Sequence, residues 1–126
     1  MKLLLAALIA VMMMTGCGEE KEDLSYVNIT MEEAVELMET EEDYLIVDVR
    51  TPEEYAEGHI PGAINVPNET IGKEEIAELP DKEQMLLVYC RSGNRSKQAS
   101  KKLKDLGYMD IREFGGIKSW KGEIEK

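Results

Sequence analysis

The cysteine at position 90 lies where a buried strand is predicted to end and a polar loop to begin. The apolar residues 85–89 precede it, and the loop that follows, residues 91–96, contains two arginines, a glycine and an asparagine before a helical pattern starts. Backbone N–H groups at a helix start and nearby cations both stabilise negative charge on sulfur. The pattern therefore predicts a reactive thiolate at Cys90.

The loop after Cys90 has the composition of a site for a small anion. We expect it to curl so that several backbone N–H groups point at one spot above the sulfur. Glycine supplies backbone freedom there, asparagine tolerates a left-handed conformation, and the arginines add positive charge, although either could point to solvent. The predicted binding residues are Arg91, Ser92, Gly93, Asn94, Arg95 and Ser96.

The spacing of the loop separates two chemistries. Cysteine phosphatases place five residues between the nucleophile and an arginine that binds phosphate through two parallel hydrogen bonds. In this chain four residues separate Cys90 from Arg95, and Ser96 occupies the position that the phosphatase spacing requires. We expect the shorter ring to be too tight for a tetrahedral phosphate and large enough for one extra sulfur atom. The spacing favours sulfur transfer over phosphoryl transfer.

Composition limits the class of partner. The 126 residues carry a net charge of −11, with 43% hydrophobic and 33% charged residues, which is typical of one ordinary globular domain. Such a chain repels nucleic acid and has no polybasic patch for anionic lipid, so no nucleic-acid partner is expected. An anionic substrate would need a local positive pocket.

The first residues form a separate segment. Lys2 precedes twelve apolar residues, 3–14, and then Thr-Gly-Cys at 15–17, a pattern typical of a secretory signal and too short to span a membrane. The segment resembles that of bacterial lipoprotein precursors, which are cut before a cysteine that receives a lipid. We expect a signal peptide at 1–16, lipidation of Cys17 and a flexible tether to residue 25; an uncleaved or conventionally cleaved signal is the alternative.

The remaining pattern predicts an α/β domain from residue 26 to 126. Apolar runs of strand length alternate with segments of helical periodicity, which implies a mostly parallel sheet with helices on both faces. Ligands of such sheets bind at the carboxyl ends of the strands, where Cys90 falls. The predicted strands are 26–29, 44–49, 63–66, 85–90 and 111–114, and the predicted helices are 30–40, 51–58, 73–79, 95–106 and a last one around Trp120.

Four segments of this domain resemble the motifs of the rhodanese-like family, in order and at suitable spacing. The resemblance extends over about residues 28–126. The segments are Asp-Val-Arg-Thr-Pro-Glu-Glu-Tyr at 48–55, Gly-His-Ile-Pro-Gly-Ala-Ile-Asn at 58–65, Cys-Arg-Ser-Gly-Asn-Arg-Ser at 90–96 and Gly-Gly-Ile-Lys-Ser-Trp at 115–120.

The resemblance implies a thiosulfate-type sulfurtransferase. Cys90 would take the outer sulfur of an anionic donor such as thiosulfate, hold it as a persulfide and pass it to cyanide or to a thiol, either a small molecule or a protein. No cofactor or metal is implied. Supporting roles are expected for Asp48 and Arg50, which could pair and shape the edge of the site, and for His59, which belongs to a structural turn in the family.

Other functions stay open at this point. Cys90 could carry a persulfide or sense oxidants without efficient turnover, and a cysteine phosphatase, an arsenate reductase or a catalytically silent interaction domain are further alternatives. We expect a monomer, attached to the membrane only through the lipid on Cys17 and located outside the cytoplasm.

Overall fold

The computed structural model describes residues 26–126. The predicted signal peptide, the lipidated Cys17 and the tether to residue 25 lie outside the described residues. Within residues 26–126, no helix is both long and apolar enough to cross a membrane.

One parallel sheet of five strands organises the described residues, in the order β1-β5-β4-β2-β3. The most buried strand is β4, whose last five residues are all buried because β5 and β2 flank it. A nearly continuous apolar run is typical of such a strand. The strands are β1 (Val27–Asn28), β2 (Tyr44–Asp48), β3 (Ile64–Asn65), β4 (Met85–Cys90) and β5 (Ile111–Gly116).

Three α-helices connect the strands, α1 (Met31–Thr40), α2 (Pro52–Glu57) and α3 (Asn94–Asp105). Helices α1 and α2 each begin with a capping box, in which a threonine side chain and a glutamate three residues later bond to each other's backbone N–H. The sequence predicted both starts from this spacing, and the structure confirms them.

Helices pack on both faces of the sheet, as predicted for a three-layer α/β fold. One apolar core contains Ala99 and Leu103 of α3 together with Val47 and Val88 of the strands. The opposite core contains Ala34 of α1 together with side chains from the other face of the same strands. The alternation of side chains along each strand divides the apolar residues between these cores.

Two predicted helices are absent from the described chain. Residues 73–79 form bends and turns, in which Leu79 is buried and most of the others are exposed. Seven residues are too few for a stable helix without strong packing, and this segment anchors only one fully buried side chain. Near Trp120 the chain forms a single 3-10 turn, Ile117–Ser119, because β5 extends to Gly116 and few residues follow.

Candidate active site

Cys90 is the last residue of β4, at the carboxyl edge of the sheet. Its Sγ accepts a hydrogen bond of 3.0 Å from the backbone N–H of Gly93. Gly93 reaches this position with a φ of +116°, a conformation that side-chain-bearing residues rarely adopt. Cys90 is 1% exposed, whereas Arg91, Ser92 and Asn94 are exposed. The sulfur therefore lies beneath a short, curled loop, and only small groups can approach it.

The end of β5 supports this loop from the side. The carbonyl of Arg91 accepts a hydrogen bond of 3.2 Å from the backbone N–H of Lys118. A Cβ at Gly116 would lie 2.0 Å from the same carbonyl oxygen, so no larger residue fits. The close approach explains why the Gly-Gly segment belongs to the site although it is distant in sequence.

Helix α3 begins at this loop without a side-chain cap. Its N-terminal flanking residue is Gly93, and no side chain bonds to the first N–H groups of the helix. The N-terminal N–H groups of a helix have no partner within the helix and attract anions. The first turn contains Asn94, Arg95 and Ser96, so three members of the predicted loop lie at this helix start.

The two arginines of the loop have different surroundings. Arg95 donates to both carboxylate oxygens of Glu54 on α2, at 2.7 and 3.1 Å. The hydrogen bond to Glu54 raises the pKa of Arg95, and the same bond lowers the pKa of Glu54 to about 2. Arg91 is exposed and forms no salt bridge within residues 26–126. The prediction assigned both arginines to the anionic donor; Arg95 is already paired, which leaves Arg91 as the more available cation.

Ser96 is buried and connects the sulfur to an acidic residue that the sequence analysis missed. Its hydroxyl lies 3.4 Å from Cys90 Sγ and bonds to a carboxylate oxygen of Glu113 on β5. Glu113 is 1% exposed. The signal in the sequence was a glutamate within a short predicted strand, and because glutamate is rarely buried without a partner, this pattern identified neither its burial nor its partners.

Asp48 and Arg50 form the predicted pair, with 2.7 Å between Asp48 Oδ2 and Arg50 Nη2. The Tyr89 hydroxyl also donates to Asp48, and burial raises the pKa of Tyr89. Arg50 donates in addition to the carbonyl of Gly58 at the end of α2. This buried network fixes the loop after β2, and thereby α2, whose Glu54 holds Arg95. Asp48 and Arg50 lie beside the site, and neither side chain bonds to Cys90 within the described residues.

His59 lies shortly after α2 and before the turn at residues 61–62. Its Nδ1 donates to the carbonyl of Tyr55 at 2.8 Å, since a carbonyl oxygen can only accept. The ring stacks on Tyr55 with 3.7 Å between ring centroids, and its backbone pairs with Glu125 in an isolated antiparallel bridge. These contacts join α2 to the C-terminal segment.

Comparison with known proteins gives the arrangement a family. The model of the rhodanese-like domain matches residues 30–123. The chain belongs to the rhodanese-like domain family.

Two relatives of the chain are named as sulfurtransferases. The chain is 39% identical over 72 residues to the thiosulfate sulfurtransferase PspE of Escherichia coli, covering 57% of this chain and 69% of that protein. It is 44% identical over 80 residues to a sulfurtransferase of Allochromatium vinosum, covering 63% and 73%. A solved structure described as a rhodanese with anions from E. coli superposes with a TM-score of 0.59 at 39% identity, covering 66% of this chain and 98% of that one. These relatives support a sulfurtransferase.

The described residues contain no group of three or more His, Cys, Asp and Glu side chains that could hold a metal ion. The site offers a thiol whose sulfur accepts the Gly93 N–H beside the uncapped start of a helix. Such a site can stabilise a thiolate and a second anionic sulfur attached to it.

Proposed function

We propose that this rhodanese-like chain transfers a sulfane sulfur from an anionic donor such as thiosulfate to a thiol or cyanide, through a persulfide on Cys90. One observation carries the proposal: Cys90 Sγ accepts the Gly93 N–H at 3.0 Å directly in front of the uncapped start of α3. The relatives named as sulfurtransferases support the same chemistry.

The first half-reaction forms one S–S bond and breaks another. The Cys90 thiolate attacks the outer sulfur of thiosulfate, and sulfite leaves with the electron pair of the broken bond. The persulfide anion that remains is stabilised by the Gly93 N–H and the free N–H groups of the first turn of α3. Arg91, which is exposed beside the loop, attracts the doubly charged donor against the net charge of −11.

The second half-reaction returns the enzyme to its resting state. A thiolate or cyanide attacks the outer sulfur of the persulfide, takes it, and releases Cys90 as a thiolate. Donor and acceptor use the same sulfur in turn, so ping-pong kinetics are expected. With 1% of Cys90 exposed, an acceptor must present a narrow nucleophilic atom to the persulfide, as a thiol or cyanide does.

Mass spectrometry of the intact protein tests the persulfide. After incubation with thiosulfate we expect one added sulfur atom, located on Cys90 by peptide mapping, which cyanide removes as thiocyanate. The Cys90→Ser variant must stay unmodified. Absence of the added sulfur would refute the proposal, and sulfur that loads but is not released in turnover would indicate a persulfide-carrying or redox-sensing module instead. Hydrolysis of an aryl phosphate by the unmodified protein would favour the phosphatase alternative.

We further propose that the domain is attached to the outer face of a membrane through a lipid on Cys17. The basis is the sequence alone: a basic start, twelve apolar residues and Thr-Gly-Cys at 15–17. A charged tether of residues 18–25 would then separate the domain from the membrane.

A further inference from the structure

Glu113 is a buried acid that the proposed sulfur transfer does not use. It lies in β5 opposite Val88 of β4, two residues before the cysteine that ends that strand. Burial of a carboxylate is costly unless hydrogen bonds and charges compensate it. The burial of a glutamate this close to the nucleophilic sulfur therefore needs a physical explanation.

Several donors surround the Glu113 carboxylate. The amide of Asn28 on β1 donates to Oε1, and the Gly115 N–H donates to Oε2 at 3.0 Å. The ammonium group of Lys97, on a half-exposed side chain of α3, lies 3.7 Å from Oε1. The fourth partner is the Ser96 hydroxyl. Donors on all sides suit the ionised carboxylate, which accepts and cannot donate.

The Ser96 hydroxyl has one proton and several oxygen acceptors. The Gly93 carbonyl lies 2.9 Å from Ser96 Oγ, the Gly115 carbonyl lies 3.4 Å away, and the Glu113 carboxylate is the charged acceptor of the three. A charged acceptor forms the stronger bond, so the proton points away from sulfur. Cys90 Sγ, 3.4 Å from Ser96 Oγ, then faces an oxygen lone pair, which favours S–H over S⁻.

We propose that Glu113 is a positioning residue that acts through Ser96: it holds the hydroxyl proton off the sulfur and disfavours the Cys90 thiolate. This effect opposes the Gly93 N–H and the start of α3, which favour the thiolate. A thiolate that is less stabilised is a stronger nucleophile, and the best attacking thiol is half ionised near the working pH. Glu113 thus balances the amount of thiolate against its reactivity; this consequence for rate rests on the proposed function.

Other charged groups near the sulfur also stabilise or destabilise the thiolate. The loop contributes the exposed Arg91, and Arg95 of α3 is paired with Glu54 of α2. On the side of β1, burial and, secondarily, Glu113 raise the pKa of Tyr26. The charged or titratable groups that neighbour the sulfur or Glu113, directly or through Arg95, are Tyr26, Glu54, Glu69, Arg91, Arg95 and Lys97.

The two contacts through Ser96 place the carboxylate at most about 6 Å from the sulfur. At an effective dielectric constant of about 20, such a charge changes the ratio of thiolate to thiol about a hundredfold. Lys97 offsets part of this charge, so we expect the carboxylate to change the ratio of thiolate to thiol about tenfold. Removal of the Glu113 charge stabilises the thiolate and so lowers the rate constant at which the thiolate attacks. With a Brønsted coefficient of about 0.4–0.5, the tenfold change corresponds to about a threefold loss in that rate constant.

The test is the rate at which iodoacetamide alkylates Cys90 across acidic to alkaline pH, read by peptide mapping in the unmodified protein and in Glu113→Gln. We expect the variant to react about threefold faster in the acidic range and about threefold slower at the alkaline plateau. Glu83→Gln is the matched control, because Glu83 is exposed and lies at the opposite end of β4. Unchanged profiles, or slower reaction of Glu113→Gln in the acidic range, would overturn the proposal.

Ser96→Ala provides a second measurement should Glu113→Gln fail to fold. It removes the lone pair that faces the thiol, so we expect a change in the same direction and smaller, because the carboxylate remains. Slower alkylation of Ser96→Ala in the acidic range would mean that the hydroxyl donates to sulfur, and the proposal would be wrong. The alkylation rates need no sulfur donor, so they stand even if thiosulfate loads no sulfur, a result that would refute the proposed function alone.

Discussion

The ion pair between Glu54 and Arg95 joins α2 to the start of α3, and its removal has a predictable pH signature. Glu54 lies at the third position of α2, where its carboxylate also accepts the Thr51 N–H of the capping box at 3.0 Å. The Glu54→Gln variant keeps an oxygen for the capping box and loses the charge. Glutamine serves that box as well as glutamate does, so the substitution isolates the ionic contribution.

The magnitude follows from the pKa of Glu54, which the bond to Arg95 lowers from 4.5 to about 2. A shift of this size corresponds to at most about 3 kcal/mol. About a third of each side chain is exposed, so solvent screening reduces the contribution to about 1 kcal/mol. Because the carboxyl is more acidic in the folded state, this stability is present in full above about pH 4.5 and is lost as the pH falls toward 2.

Urea denaturation at a series of pH values checks this reasoning. We expect Glu54→Gln to be less stable than the unmodified protein by about 1 kcal/mol at neutral pH, and the two free energies of unfolding to converge as the pH falls toward 2. The neighbouring Glu53 is exposed and forms no salt bridge within the described residues, so Glu53→Gln is the matched control. A constant difference between Glu54→Gln and the unmodified protein down to the acid limit would show that charge is not the cause.

Three further changes have definite expected outcomes. Gly116→Ala places a Cβ 2.0 Å from the Arg91 carbonyl oxygen. We expect urea denaturation to show a free energy of unfolding lower by about 3 kcal/mol, and we expect slower sulfur loading of Cys90. In the control Gly72→Ala the new Cβ has nothing within 4 Å, so both quantities stay unchanged. Ser100→Ala removes a buried hydroxyl without a hydrogen-bond partner in the described chain, so stability rises by about 1 kcal/mol, and a decrease would mean that the hydroxyl is bonded after all. Cys17→Ser moves the protein from the membrane fraction to the soluble fraction if Cys17 carries the lipid, and an unchanged distribution would contradict that assignment.

Short-range signals predicted most of the fold. The capping spacing at Thr30 and Thr51 located two helix starts, and the apolar run before Cys90 located the buried strand, because each signal depends on neighbours within a few residues. The prediction of a helix at 73–79 was wrong, because it also depended only on the spacing of neighbouring residues. The spacing of Ile76 and Leu79 indicates which side chains turn inward, but a turn can bury them as well as a helix can.

The partners of the site residues could not be predicted in the same way. Arg95 and Glu54 are 41 residues apart, and Ser96 and Glu113 are 17 apart, so no local pattern connects them. Arg95 and Glu54 meet because the segments that follow β4 and β2 lie at the same edge of the parallel sheet, and Ser96 meets Glu113 because α3 packs beside β5. Two residues of the predicted loop, Gly93 and Ser96, contact the sulfur, whereas the pairing of Arg95 with Glu54 and the burial of Glu113 were missed.

The starts of the three α-helices of the described chain indicate where a chain of net charge −11 would bind the anionic donor of the proposed reaction. Helices α1 and α2 use a threonine and a glutamate to close their first turns, and such caps are each worth about 1 kcal/mol. Helix α3 has a residue of a capping type in its first turn, Ser96, but that hydroxyl bonds to the Gly93 carbonyl and to Glu113 instead. With Arg95 paired to Glu54, the uncapped N–H groups of α3 and the exposed Arg91 are the positive features of this loop. Backbone dipoles and one exposed arginine, rather than an excess of basic side chains, would therefore attract the anionic donor that we propose.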